Sequence, residues 1–256
     1  MKKRFLAIFS FLLAAAVFTF GACVNGEDPK NENVKVLFIG NSFTYYSDVP
    51  ALFEKIAKSA GKTVRVESVT KGSWNLTKFA DENDEYGSVV DEKLKAYSDY
   101  SAVVLQEQSA RPLNNYSAFL KGARDLKDKI DSTQKNCRIY LYSTWGYAEE
   151  AEKRGMTVTQ MEEKIFAAYQ KVAKELGVEV SPAGRAFSAV FEAYPDINLY
   201  YTDGKHPSYA GAYLAACVHV ATVLRVDPRG ALFNGELDGQ TAVILKAEAY
   251  RTVYGT

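Results

Sequence analysis

From Val34 to Ile39 the chain is apolar at every position except Lys35, the pattern of a strand buried on both faces. Between Pro50 and Ala60, Leu52, Phe53, Ile56 and Ala57 recur at helical spacing, and Gly61 stops the helix. Thr63–Val69 alternates as a strand does, and Ala102–Leu105 is a second central strand. A helix over Asn115–Ile130 leads to a strand over Arg138–Ser143. Helical periodicity returns over Thr157–Leu176, stops at Gly177 and gives way to a short strand, Val178–Val180. Ser208–Leu224 and Gly239–Tyr254 are the closing helices. Strands separated by helices are βαβ units, so the pattern predicts a parallel sheet with helices on both faces. No repeat, low-complexity segment or mid-chain linker interrupts it, and one domain of about 220 residues is the simplest reading.

Residues 1–33 break from this pattern. Lys2, Lys3 and Arg4 precede an uncharged, mostly apolar run from Phe5 to Phe20, and Gly21 and Ala22 lead to Cys23. A basic end, an apolar middle and small residues at the cut make a secretory signal over residues 1–22. The run falls short of the roughly 20 apolar residues of a membrane span. Cys23 directly after small residues resembles a bacterial lipobox, in which the thiol is acylated, although Phe20 stands where leucine is usual. That predicts an exported lipoprotein, periplasmic or at the cell surface and touching the membrane through its lipid; plain signal cleavage leaves a secreted protein instead. Gly26, Pro29 and several charges make residues 23–33 a flexible tether before a domain over 34–256.

Composition adds exclusions. The 256 residues are 47% hydrophobic and 24% charged, which suits a globular chain and excludes a disordered or fibrous one. Lys and Arg balance Asp and Glu at 31 each, and removing residues 1–22 takes three basic residues away and leaves the rest at −3. No basic face for nucleic acid follows from that balance. Three cysteines are too few for a disulfide scaffold and form no CxxC pair for zinc. Export permits a Cys137–Cys217 bridge, but both adjoin apolar stretches and fit buried thiols equally well. His206 and His219 are the two histidines, and His219 sits inside an apolar helix, where core packing is the plain expectation.

In a parallel sheet, ligands bind beyond the carboxyl ends of strands where strand order reverses. Chemistry is therefore sought just after Ile39, Val69 and Leu105. Gly40-Asn41-Ser42-Phe43-Thr44 follows the first strand at once. Gly40 permits a tight turn, and Ser42 then stands at the mouth of the sheet as a candidate nucleophile, although Asn41 and Ser42 also suit simple helix capping. Near the other end, Asp203-Gly204-Lys205-His206-Pro207-Ser208 precedes a helix. Asp203 and His206 are three apart on a loop, so the carboxylate can hold one imidazole nitrogen while the other faces a partner. Asp-Gly is also an ordinary turn, which is the bland reading of Asp203.

Together these blocks resemble the SGNH (GDSL-type) hydrolase superfamily, whose Gly-Asp-Ser block follows strand one and whose Asp-x-x-His block lies near the C terminus. Asn41 replaces the aspartate of the first block. The resemblance implies a three-layer α/β/α sandwich with a central, mostly parallel five-stranded sheet, the flavodoxin-like SGNH hydrolase fold. It implies a serine esterase with Ser42 as nucleophile, His206 as base and Asp203 as its orienter, needing no metal or other cofactor. The family takes oxyanion donors from a glycine N–H after strand two and an asparagine after strand three. Gly72 matches the first by position, and Ser42 contributes its own N–H. The second block reads Gln106-Glu107-Gln108-Ser109, with Gln106 the first choice of donor and Gln108 the second. Glu107 can brace the site by accepting from a backbone N–H.

Other residues compete for roles. Trp74, Trp145 and Tyr147 form either a sugar-stacking wall or ordinary aromatic packing; Tyr200 and Tyr201 either line the pocket or pack. Arg111 can hold a substrate carboxylate, with a surface role the default. Asp81–Asp91 reads as a solvated acidic face without the ligand spacing of a calcium loop. An exported esterase with aromatics near its mouth suggests a small-molecule or carbohydrate ester as substrate, with deacetylation of carbohydrate preferred. The alternative class is a non-catalytic surface carbohydrate-binding protein on a hydrolase scaffold. A flavin binder using Asn41–Thr44 as a phosphate loop ranks last, because it leaves Asp203 and His206 without a purpose.

Overall fold

A computed structural model of the chain describes residues 34–255. The expected signal over 1–22, the tether over 23–33 and the acylation site Cys23 lie outside the described residues. In chain order the described elements are β1 (Val34–Gly40), α1 (Ser42–Tyr45), α2 (Val49–Ser59), β2 (Val64–Thr70), α3 (Leu76–Phe79), α4 (Glu85–Ala96), β3 (Ala102–Leu105), α5 (Arg111–Asn114), α6 (Tyr116–Thr133), β4 (Arg138–Tyr142), α7 (Ala148–Lys153), α8 (Val158–Leu176), β5 (Glu179–Ser181), α9 (Ala183–Ala193), α10 (Tyr209–Leu224) and α11 (Gly239–Tyr254).

The five strands pair in the order β2-β1-β3-β4-β5, every pair parallel. Val36 to Ile39 and all four residues of β3 are buried, because helices cover both faces of these central strands and leave no polar side. Right-handed crossovers place α4, α6 and α8 on one face and α2 on the other, where it packs with α10. The result is a three-layer α/β/α sandwich. α10 is apolar all round, from Gly211 to Val223 without an exposed position, as a helix enclosed by α2, α9 and α11 requires.

Besides the short helices, two longer ones, α4 and α9, escape the sequence pattern. α4 buries Gly87, Val90 and Leu94, so the acidic stretch Asp81–Asp91 is half solvated loop and half the polar side of a packed helix. Asp84 caps that helix by accepting from Tyr86 and Gly87 N–H, and also accepts from Trp74 Nε1 at 2.8 Å. α9 follows Pro182 with no side-chain cap, and Gly184 packs so closely on the Thr144 carbonyl that a Cβ there would collide. Cys137 and Cys217 are both free thiols. His219 is fully buried between Phe38 and Tyr142, its Nδ1 2.7 Å from Ser181 Oγ, and desolvation pulls its pKa down to about 3. It is a neutral core histidine.

Candidate active site

Strand order reverses between β1 and β3, so the crevice beyond their carboxyl ends is open to a ligand. β1 ends at Gly40, where a Cβ would collide with the Thr44 hydroxyl and the Gln106 carboxamide. Glycine therefore lets the turn and the Gln106 side chain share one space. Asn41 caps the next turn: its Oδ1 accepts from Phe43 N–H at 3.2 Å. Its Nδ2 donates to the Trp74 carbonyl at 2.9 Å, which ties the loop after β1 to the loop after β2. Ser42 follows, half-buried, at the crevice.

The loop before α10 arrives from the other side. Asp203 Oδ1 accepts from the N–H groups of Lys205 at 3.0 Å and His206 at 2.9 Å, a turn that Gly204 completes at φ 67°. Asp203 Oδ2 lies 2.5 Å from His206 Nδ1, and His206 Nε2 lies 2.8 Å from Ser42 Oγ. The three residues thus form one continuous chain of hydrogen bonds across 164 positions of sequence. Aromatic packing fixes the imidazole. Tyr46 stacks on it at 4.1 Å between centroids and 12° between planes, while Trp145 Nε1 donates to the Lys205 carbonyl at 3.0 Å. Trp145 itself is locked against Phe187 at 3.8 Å. Desolvation pushes the Asp203 carboxyl up, but hydrogen bonds from the His206 ring and from the His206 and Lys205 N–H groups outweigh it and hold the pKa at about 2. A carboxylate that is charged throughout the neutral range favours the proton on Nδ1 and leaves the Nε2 lone pair for Ser42.

Ser42 and His206 line a cavity of about 190 Å³ together with Gly72, Ser73, Gln108 and Ser109. Among the described residues no protein group accepts from the Ser42 or Gly72 N–H. A Cβ on Gly72 would stand 2.9 Å from the Tyr45 hydroxyl, so glycine keeps that wall open. Gln106, the first choice of donor, is displaced from that role. Its Oε1 accepts from Asn41 N–H at 2.8 Å and Thr44 Oγ1 at 3.0 Å, and its Nε2 donates to the Glu107 carbonyl. It is buried beneath the loop, not in the cavity wall. Gln108 reaches the cavity instead, its Nε2 3.0 Å from Ser109 Oγ and one amide proton left over. Glu107 braces the loop: its Oε1 accepts from the N–H groups of Gln108 and Leu76.

The competing aromatics sort by burial. Trp145 and Tyr147 are core residues, and none of Trp74, Trp145 and Tyr147 lines the cavity. Tyr200 donates to the Gly146 carbonyl at 2.8 Å. Tyr201 does not line the cavity; 51% exposed, it meets Tyr46 edge-on at 5.7 Å beside it. Arg111 points inward, to Thr77 and Glu107, and not to open surface. Tyr45, Tyr46 and Lys205 line the cavity without any signal in the sequence pattern, because only the fold brings their loops to Ser42.

Solved structures share this architecture. A protein of Slackia heliotrinireducens, provisionally described as an SGNH hydrolase, superposes with a TM-score of 0.63 at 26% identity, covering 74% of this chain and 98% of its own. The chain has the SGNH hydrolase fold. A DUF4886 family protein from Bacteroides uniformis shares it at a TM-score of 0.76 and 18% identity, over 87% of this chain and 96% of that one. An acetyl xylan esterase shares it at 0.58 and 16% identity, over 74% and 100%. No protein-family model and no curated protein matches the chain. Within the SGNH fold, Ser42 and the Asp203–His206 pair occupy the sheet mouth, and the departures are Asn41 and the glutamine-bearing loop after β3.

Proposed function

We propose that the protein hydrolyses carboxylic esters, with Ser42 as nucleophile, His206 as base and Asp203 as orienter, and that its substrates are acetyl groups on carbohydrate. The observation that carries this reading is the unbroken Asp203–His206–Ser42 relay beside two backbone N–H groups without a protein acceptor. His206 Nε2 takes the hydroxyl proton as Ser42 Oγ attacks the ester carbon, and the oxyanion receives hydrogen bonds from Ser42 N–H, Gly72 N–H and the Gln108 carboxamide. The protonated imidazole, stabilised by the charged Asp203, then gives its proton to the departing alcohol. Water repeats the sequence on the acyl-enzyme.

The size and polarity of the cavity support a short acyl group. Tyr45, 41% exposed, and Tyr201 offer apolar ring surface at its rim for a sugar ring, and one fold neighbour is an acetyl xylan esterase. Export through residues 1–22, with a lipid on Cys23, completes the proposal and would place the enzyme where such polymers lie.

A fluorophosphonate probe tests the reading. Stoichiometric labelling of wild type, absent in Ser42→Ala, is expected; a folded wild type that stays unlabelled leaves the carbohydrate-binding alternative. The two glutamines should separate. Gln108→Ala should lower kcat on aryl acetates by roughly 10²–10³-fold with a near-normal melting temperature. Gln106→Ala should instead destabilise the fold by about 1–3 kcal/mol, because Asn41 N–H and the Thr44 hydroxyl lose their acceptor. A kcat loss confined to Gln106→Ala would reverse the assignment.

A further inference from the structure

Glu107 stands in the loop after β3 with 0% of its surface exposed. Its Oε1 accepts from Gln108 N–H at 2.5 Å and from Leu76 N–H at 3.3 Å. One carboxylate thus joins the loop that carries Gln108 to the start of α3, just beyond the loop that carries Gly72 and Ser73. Its Oε2 has no hydrogen-bond partner, and Arg111 Nε, buried and also without one, lies 3.9 Å away. Arg111 is steered there by the bond from its Nη2 to Thr77 Oγ1 at 3.2 Å. The Glu107 N–H donates to the Tyr169 hydroxyl at 3.2 Å. The titratable groups facing Glu107 are therefore Arg111 on α5 and Tyr169 on α8, while α3 presents the Leu76 N–H.

A glutamine could accept the same two N–H bonds without the desolvation that a buried charge costs. What a carboxylate adds is charge: stronger bonds to both N–H groups and attraction to Arg111. We propose that Glu107 is a positioning residue whose ionised carboxylate holds Gln108 and the β2–α3 loop in the geometry the oxyanion needs, and whose protonation loosens both. The proposal rests on the ester-hydrolase reading of the same cavity. Desolvation raises the carboxyl to about 7, against the opposing pull of the Gln108 N–H, Arg111 and the Leu76 N–H. The switch therefore falls in the range where the enzyme would work.

The experiment is the pH dependence of kcat on an aryl acetate for wild type, Glu107→Gln and Glu107→Asp, each normalised to active sites counted with the fluorophosphonate probe. Two groups, His206 and Glu107, must lose a proton for full activity. Wild-type log kcat against pH should therefore approach a slope of about two on the acid side. Glu107→Gln should lower kcat per site by roughly 10²-fold or more, leave KM near its wild-type value and reduce the slope to about one. Glu107→Asp, which keeps the charge, should restore the steeper slope. A wild-type slope of one overturns the proposal whether or not a variant folds, as does an unchanged slope and kcat in Glu107→Gln. A labelled wild type with a slope of one removes the role of Glu107 alone, whereas an unlabelled wild type removes the hydrolase reading itself.

Discussion

Ser42→Ala is expected to lower kcat on short-chain aryl acetates by roughly 10⁴-fold or more while the protein stays folded. The hydroxyl is the atom His206 Nε2 faces at 2.8 Å while Asp203 holds Nδ1 of the same ring. The remaining histidine is neutral, buried and turned toward Ser181. Residual hydrolysis should come from water attacking a bound ester, helped by the oxyanion donors that the substitution leaves in place. KM should move little, because the cavity walls other than one oxygen are intact. Stability should change by about 0.5 kcal/mol or less, since Ser42 is not part of the packed core. Comparable kcat values for wild type and Ser42→Ala would remove the mechanism.

His206→Ala should cost about as much, and the double variant with Ser42→Ala should be no slower than either single one. Residues that act as one unit lose their joint contribution when any essential member goes, so their effects do not add. Asp203→Ala should fall short of that loss, at roughly 10²–10⁴-fold, because the imidazole remains but its tautomer and orientation are no longer held. Tyr46 and the Lys205–Trp145 contact still confine the ring after Asp203 is shortened. Fully additive losses in the double variant would show that Ser42 and His206 act separately. The charge of Asp203 sets no limit in the neutral range: its folded pKa lies below the ordinary value, so its stabilising contribution is present above about 3.8 and is lost as pH falls through about 2.

Long elements were legible in one dimension because their cause is local. β1 and β3 are apolar runs, and the helices ending at Leu176 and Leu224 carry their periodicity and stops within themselves. α4 was not legible as a helix, because Val90 and Leu94 are the only large apolar residues it buries and its acidic residues mask them. α9 has Ala183, Ala186, Phe187 and Val190 at helical spacing, but it follows Pro182 with no capping side chain to mark its start. The site shows the same division. Ser42, Asp203 and His206 stand in short blocks whose residue types suggest their chemistry. Gln106 and Gln108, two positions apart in one loop, carry the same carboxamide and cannot be told apart by type or spacing.

The order of residues alone determined a wound α/β chain with a serine at the end of its first strand and an Asp-x-x-His block far downstream. Tertiary structure decided which glutamine meets the cavity, because the missing Cβ of Gly40 leaves a hole that Gln106, on another strand's loop, fills. It also decided that Glu107 is a buried charge between two loops, and that Tyr46 and Trp145 hold the histidine loop. These are consequences of packing between segments distant along the chain, where shape and desolvation act and local pattern carries no information.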